Sequence, residues 1–170
     1  MVRTVKVHKG MHYSMNIPQL SYKRKRIGFT AIFDKSCRYN LNGIDQEDIN
    51  KLYGICWGFN PHKNSYRIGW NYDLSNDIVR IYSYWYQNVE RKFKEICSCI
   101  IGESVQFEIV FDRNFGAIYT TVRTLNMPKA YSVINYNFNK VSNFSYRMNP
   151  YFGGNQVCDH DVVIYFINEY

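Results

Sequence analysis

The chain has 170 residues, of which 46% are hydrophobic, 21% charged and 18% aromatic, with a formal net charge of +7. That length suits one domain, the apolar share can fill a continuous core, and the charge content is too low for a disordered chain. No segment reaches the roughly 18 apolar residues of a membrane-spanning helix, and MVRTVKVHKG lacks the apolar run of a secretory signal, so no membrane partner and cytoplasmic synthesis without a signal peptide are expected.

Residues 1–25 are basic, contain Pro18 and alternate only at Val2, Val5 and Val7. They read as an N-terminal arm carrying one strand, followed by a single domain over 26–170. The run YKRKR, Tyr22–Arg26, could contact phosphates or stay solvated. No nucleic-acid-binding motif follows it, which makes nucleic acid the less favoured partner. From Ile27 the β signal is strong. IGFTAIFD is rich in strand formers, SCRYNL continues it, and Asn42-Gly43 marks a turn. DQEDINKLYG then offers Asp45 as a helix cap, Asp48 in the first turn and Gly54 as a stop, which predicts a helix of two turns. YGICWGF follows as a strand interrupted by glycines.

PHKNSYRIGWNYD, Pro61–Asp73, alternates as a strand, DLSND turns, and IVRIYSYWYQN, Ile78–Asn88, returns to complete a hairpin. RKFKEICSCII fits either periodicity and is read as a strand. SVQFEIVFD is a strand with Val105, Phe107, Ile109 and Phe111 on one side. RNFG turns the chain into AIYTTVRTL. YSVINYNFN is a further strand, PYFGGN is a loop, and VVIYFIN, Val162–Asn168, is the last strand. About ten short strands with turns every 8–12 residues define an all-β fold: a two-sheet antiparallel β-sandwich of jelly-roll type with one short helix. Five cysteines form no disulfide framework or CxxC motif and are expected as free thiols.

Successive side chains of a strand face opposite ways. In the 61–88 hairpin the economical division buries Ile68, Trp70, Val79, Ile81 and Trp85. Arg67, Asn71, Arg80, Tyr82, Tyr84 and Tyr86 are then left on the other face. Guanidiniums among phenol rings suit a sugar, a nucleotide base or an acidic peptide, since arginine offers a planar fork and tyrosine a stacking platform. The alternative is a structural face in which these side chains stack on each other. His62, Asn64 and His160 are candidates for the rim.

Catalytic signatures are weak. His62 and His160 lack the hydroxyl residues of a paired H-x-S/T motif, no G-x-S-x-G occurs, and Glu108 with Asp112 is a pair that any acidic strand could offer. Cys158-Asp-His-Asp161, with His62 as a third ligand, is the most metal-like set. Such groups more often cap a strand start. No cofactor and no metal are expected, and a non-catalytic role is favoured over an enzymatic one.

The order of these features resembles concanavalin-like jelly rolls of the laminin-G type over residues 26–168. The stretches HKNSYRIGW and PYFGGN are also similar to those of uncharacterised small proteins of Bacteroides-type bacteria and their phages. The resemblance implies a non-catalytic recognition or assembly module, phage-encoded or virion-associated. Such a module would bind a glycan or protein partner through the Tyr/Arg face, as a homo-oligomer or within a larger assembly. The second reading is an anti-defence protein that sequesters an anionic small molecule such as a cyclic nucleotide.

Overall fold

In the computed structural model, residues 2–15 and 17–167 are described, and the alternating segments form twelve strands among them. The first six are β1 (Val2–Val7), β2 (Gln19–Tyr22), β3 (Arg26–Phe33), β4 (Asn50–Trp57), β5 (Asn64–Asp73) and β6 (Ile78–Gln87). They are followed by β7 (Glu90–Ile100), β8 (Ser104–Asp112), β9 (Ala117–Arg123), β10 (Ala130–Asn135), β11 (Phe144–Met148) and β12 (Val162–Ile167). One sheet has the order β1-β12-β3-β8-β9-β10, the other β2-β11-β4-β5-β6-β7. All pairings are antiparallel. The fold is the expected all-β two-sheet sandwich. Asn168, the expected end of the last strand, lies outside the described residues.

The helix begins near Asp45 as expected but lasts only one 3-10 turn, Ile44–Glu47, and Asn50–Trp57 is strand. That strand lies between β11 and β5 and is buried on both faces, so it shows no alternation to distinguish it from a buried helix. SCRYNL does not extend β3. Its start forms a 3-10 turn, Lys35–Cys37, capped by the Asp34 carboxylate. The basic N-terminal segment also enters the sandwich. It supplies one edge strand to each sheet, with Val5 and Val7 in the core. Residues 91–100 are strand, as read. All five cysteines are free, and Cys97 and Cys99 face Ile81 and Val79 from the same side of β7.

The core is aromatic. The sheet containing β3 contributes Phe29, Phe33, Phe107, Phe111 and Phe166. The other sheet contributes Tyr53, Trp57, Tyr66 and Trp70. Phe29 stacks on Phe107 with ring centres 4.9 Å apart and meets Tyr53 edge-on at 5.3 Å, while Trp57 meets Phe111 edge-on at 5.4 Å. These are the offset and edge geometries that ring quadrupoles favour. The Tyr66 hydroxyl reaches both Ser83 and Thr120, and Ser83 donates to Ser132 at 2.9 Å, so a buried chain of hydroxyls ties the sheets together.

Phe29 is only 1% exposed and touches both sheets. Phe29→Ala should therefore lower the unfolding free energy by about 3–5 kcal/mol, read as a shift of the denaturant midpoint.

Candidate functional site

The β5–β6 hairpin divides as its sequence requires. Tyr66, Ile68, Trp70, Val79 and Ile81 go inward, while Trp85, expected to be buried with them, packs against the core but stays half-buried. Arg67 pairs with Tyr84, Ser65 with Tyr86, Gly69 with Tyr82 and Asn71 with Arg80 on the outer face. The outer face is not one open platform, however. Ile49 packs on Tyr82 and Tyr84 as a second small apolar cluster. Asn71 is buried, donating to the Glu47 carbonyl and accepting from the Tyr82 hydroxyl at 3.2 Å. The segment 44–49 thus closes that end of the face. Arg80 is turned to Asp73, to which its Nε donates at 3.0 Å. Hydrogen bonds from Asn76 and then Arg80 hold the Asp73 carboxyl down at about 2. Asn71, Arg80 and Tyr82 therefore lie away from the open part of the face.

What stays open is a cleft of about 310 Å³ around Arg67. Its floor is Ser65 and Arg67 from β5, Tyr84 and Tyr86 from β6, Arg91 from β7 and Lys51 from β4. One wall is Pro61 and His62. The other is the strap Tyr151–Asn155. The two stretches singled out in the sequence, HKNSYRIGW and PYFGGN, meet here although residues 71–149 separate them in the chain. The strap runs alongside β4, with Lys51 and Tyr151 exchanging backbone hydrogen bonds at 2.8 and 2.9 Å. Gly153 supplies the positive φ of 78° that bends the strap, its N–H bonds to the Asn50 side chain, and its carbonyl accepts from Lys51 Nζ at 3.2 Å. The N-terminal segment holds the strap from outside: the His12 ring stacks on Tyr151 at 5.2 Å and its Nδ1 lies 2.9 Å from the Phe152 carbonyl.

Arg67 is the deepest cation. Its side chain crosses β4 at Gly54, where a Cβ would collide with Arg67 Cα and Cγ. Its Nη2 donates to the Asn149 carbonyl and, at 3.3 Å, to the Leu52 carbonyl. Its Nε is buried without a partner. Burial lowers its pKa to about 10, against the opposing influence of the phenols of Tyr84, Tyr146 and Tyr151. Lys51 lies over the Tyr84 and Tyr151 rings, 5.1 and 5.3 Å from their centres. Burial and then the Arg67 charge bring Lys51 down to about 8. The Tyr84 phenol is pushed up by burial and by its hydrogen bond to Tyr86. His62 meets the Tyr86 ring edge-on at 5.1 Å. No aspartate or glutamate lines the cleft among the described residues, but the Asp48 carboxylate lies against Gly154 of the strap and favours the charge on Lys51. Such a site can accept an anion on Arg67, Lys51 and Arg91 and rest a ring on phenol faces.

Of the residues expected in the site, Arg67, Tyr84, Tyr86 and His62 are brought together. Asn64 instead receives the Asn88 N–H at the hairpin end. His160 donates to the Ser36 carbonyl and pairs with Asp159, outside the cleft lining. The PYFGGN loop lies at the rim of the cleft at Arg67. Lys51 and the strap were missed as site residues, although PYFGGN itself was visible as a glycine-rich loop. The metal-like set reduces to Cys158, Asp159 and His160 with ligand atoms within 4.8 Å, and His62 is not part of it. Both imidazole nitrogens already have protein partners and burial raises the Cys158 thiol, which describes a hydrogen-bonded strand start. Glu108 pairs with Arg26 at 3.2 Å and Asp112 receives backbone N–H groups of its own turn, so these carboxylates have structural roles.

No protein-family profile and no curated protein sequence matches the chain. Solved structures do. The alginate lyase from Klebsiella pneumoniae superposes with a TM-score of 0.63 at 11% identity, over 85% of this chain and 58% of the lyase. The PL-14 alginate lyase from Aplysia kurodai gives 0.56 at 12% identity, over 99% and 81% of the two chains. Winged bean acidic lectin, complexed with methyl-α-D-galactose, gives 0.50 at 8% identity over both full chains. The chain thus has the concanavalin-like, lectin-type β-sandwich fold, and it spans 58% of the length of the Klebsiella lyase.

A lysine whose folded pKa lies below its unfolded value binds fewer protons folded than unfolded in the window between the two, so stability rises with pH there. For Lys51 that window runs from about 8 upward to 10.5. An NMR titration of the Lys51 side chain should show a midpoint near 8, and Arg67→Leu should move it upward by removing the neighbouring charge.

Proposed function

We propose that the protein is a glycan-binding β-sandwich whose cleft takes an acidic saccharide without chemical conversion. The observation that carries this reading is the cleft lining: Lys51, Arg67 and Arg91 with the phenols Tyr84, Tyr86 and Tyr151, three cations against the nearby carboxylate of Asp48, which lies against Gly154. A ring carboxylate would sit on Arg67 and Lys51, and the sugar's C–H faces would rest on the tyrosines. Arg67 is already oriented by two carbonyls, so little ordering remains to be done on binding. The kinship of the fold with alginate lyases and with a galactoside-bearing lectin supports a saccharide ligand.

The second reading, sequestration of a cyclic nucleotide, draws on the same cations. The saccharide is favoured because His62, Arg91 and Asn155 stand exposed around an open cleft that runs along the sheet, whereas a compact anion is better held in a closed pocket. A phage particle that recognises a bacterial surface polysaccharide is a setting in which such a module would serve. That part of the reading rests on sequence resemblance alone.

Thermal shift and calorimetry against oligouronates, neutral oligosaccharides and cyclic nucleotides test the proposal. Oligouronates at about a hundred times their Kd should raise the melting temperature by about 5–10 °C. Arg67→Ala should weaken binding at least about tenfold, and affinity should fall as pH rises through about 8, where Lys51 loses its charge. A shift given only by cyclic nucleotides would replace this reading with the second.

A further inference from the structure

The cleft reaches β4, but the surface that forms it continues. The register of the sheet aligns Leu20, Tyr146, Cys56, Ser65, Tyr86 and Arg91 in one row across all six strands. Directly paired residues of antiparallel strands share a face, so this row crosses the outer face at right angles to the strands. Ser65, Tyr86 and Arg91 belong to the cleft. Cys56 is sealed, with 0% exposure, and the Tyr146 hydroxyl lies against it. Tyr146 also neighbours the Arg67 guanidinium, which joins the cleft to the far half of the row.

Beyond Tyr146 the face ends at β2. Leu20 and Tyr22, two residues apart and therefore on the same side, are each 68% exposed. Lys23 Nζ lies 5.5 Å from the Tyr22 ring centre. The far half of the row thus repeats the composition of the cleft: an aromatic surface with a cation beside it. The other end of the face, at Tyr82 and Asn71, is closed by the 44–49 segment. Strands lie about 4.8 Å apart, so β11 and β2 add roughly 10 Å of surface past β4.

We propose that Tyr146, Leu20 and Tyr22 form an extended subsite, and that the ligand is a linear acidic oligosaccharide lying across the strands. One unit occupies the cleft at Arg67, and later units run over Tyr146 to the β2 edge, where Lys23 meets a second carboxylate. The inference rests on the acidic-saccharide reading of the cleft and adds the length and direction of its ligand.

Calorimetry with a disaccharide and a hexasaccharide of the same uronate tests it. The wild-type protein should bind the hexasaccharide at least about tenfold more tightly. Both side chains of the double variant Leu20→Ala, Tyr22→Ala are exposed, so it should keep the wild-type melting temperature and disaccharide affinity. Its gain with length should fall to about twofold or less. Equal affinity for both lengths overturns the extended subsite and leaves the cleft reading standing, as does a length gain that survives the double variant. Absence of binding at either length overturns both.

Discussion

A guanidinium can lie beneath other side chains only where fixed protein groups replace its water. At Arg67 those groups are the carbonyls of Leu52 and Asn149, and reaching them requires the side chain to pass directly over β4. Gly54 makes that passage possible, because any side chain there would occupy the path. The arrangement of the outer face follows from this crossing. Lys51 gives up part of its basicity to share the site, and the phenols of Tyr84 and Tyr151 lie under its ammonium. The strap, held by Asn50 and His12, completes the enclosure. The site is therefore anchored on a backbone carbonyl of the central strand β4 and on another just past the end of β11.

The hairpin at its centre was legible because both of its strands have one strongly apolar side. Ile68 and Trp70 on one strand and Val79 and Ile81 on the other exclude any one-residue slip, and the short DLSND turn then settles the register that places Arg67 beside Tyr84. Alternation could not show what lies above the outward face. Residues 44–49 cover Tyr82 and Asn71 through contacts made more than twenty residues away in sequence. Arg80 finds Asp73 seven residues back, within its own hairpin. The double burial of β4 concealed Lys51 in an apparent helix, and the short strands β2 and β11 carry too few residues for a period. PYFGGN was recognisable as a loop from its glycines, but its position beside β4 depends on the long-range pairing of Tyr151 with Lys51.

The two faces of the cleft-bearing sheet obey different constraints. Inward, ring packing against the phenylalanines of the other sheet leaves little freedom, with Trp57, Tyr66 and Trp70 each 3% exposed or less. Outward, polar groups are arranged around a gap. The fold is shared with solved structures at identities of 8–12%, so likeness of fold survives when most side chains differ. The outer face carries what is particular to this chain.

The placement of β12 between β1 and β3 has a consequence for how the molecule is made. During translation, β3 emerges more than a hundred residues before the strand that will cover its edge, and β1 has no neighbour at all until that same strand arrives. The nascent chain must keep an unpaired, apolar ladder away from other chains until β12 has been made. Folding and protection from misassembly both depend on the long-range pairing of β12 with β1 and β3.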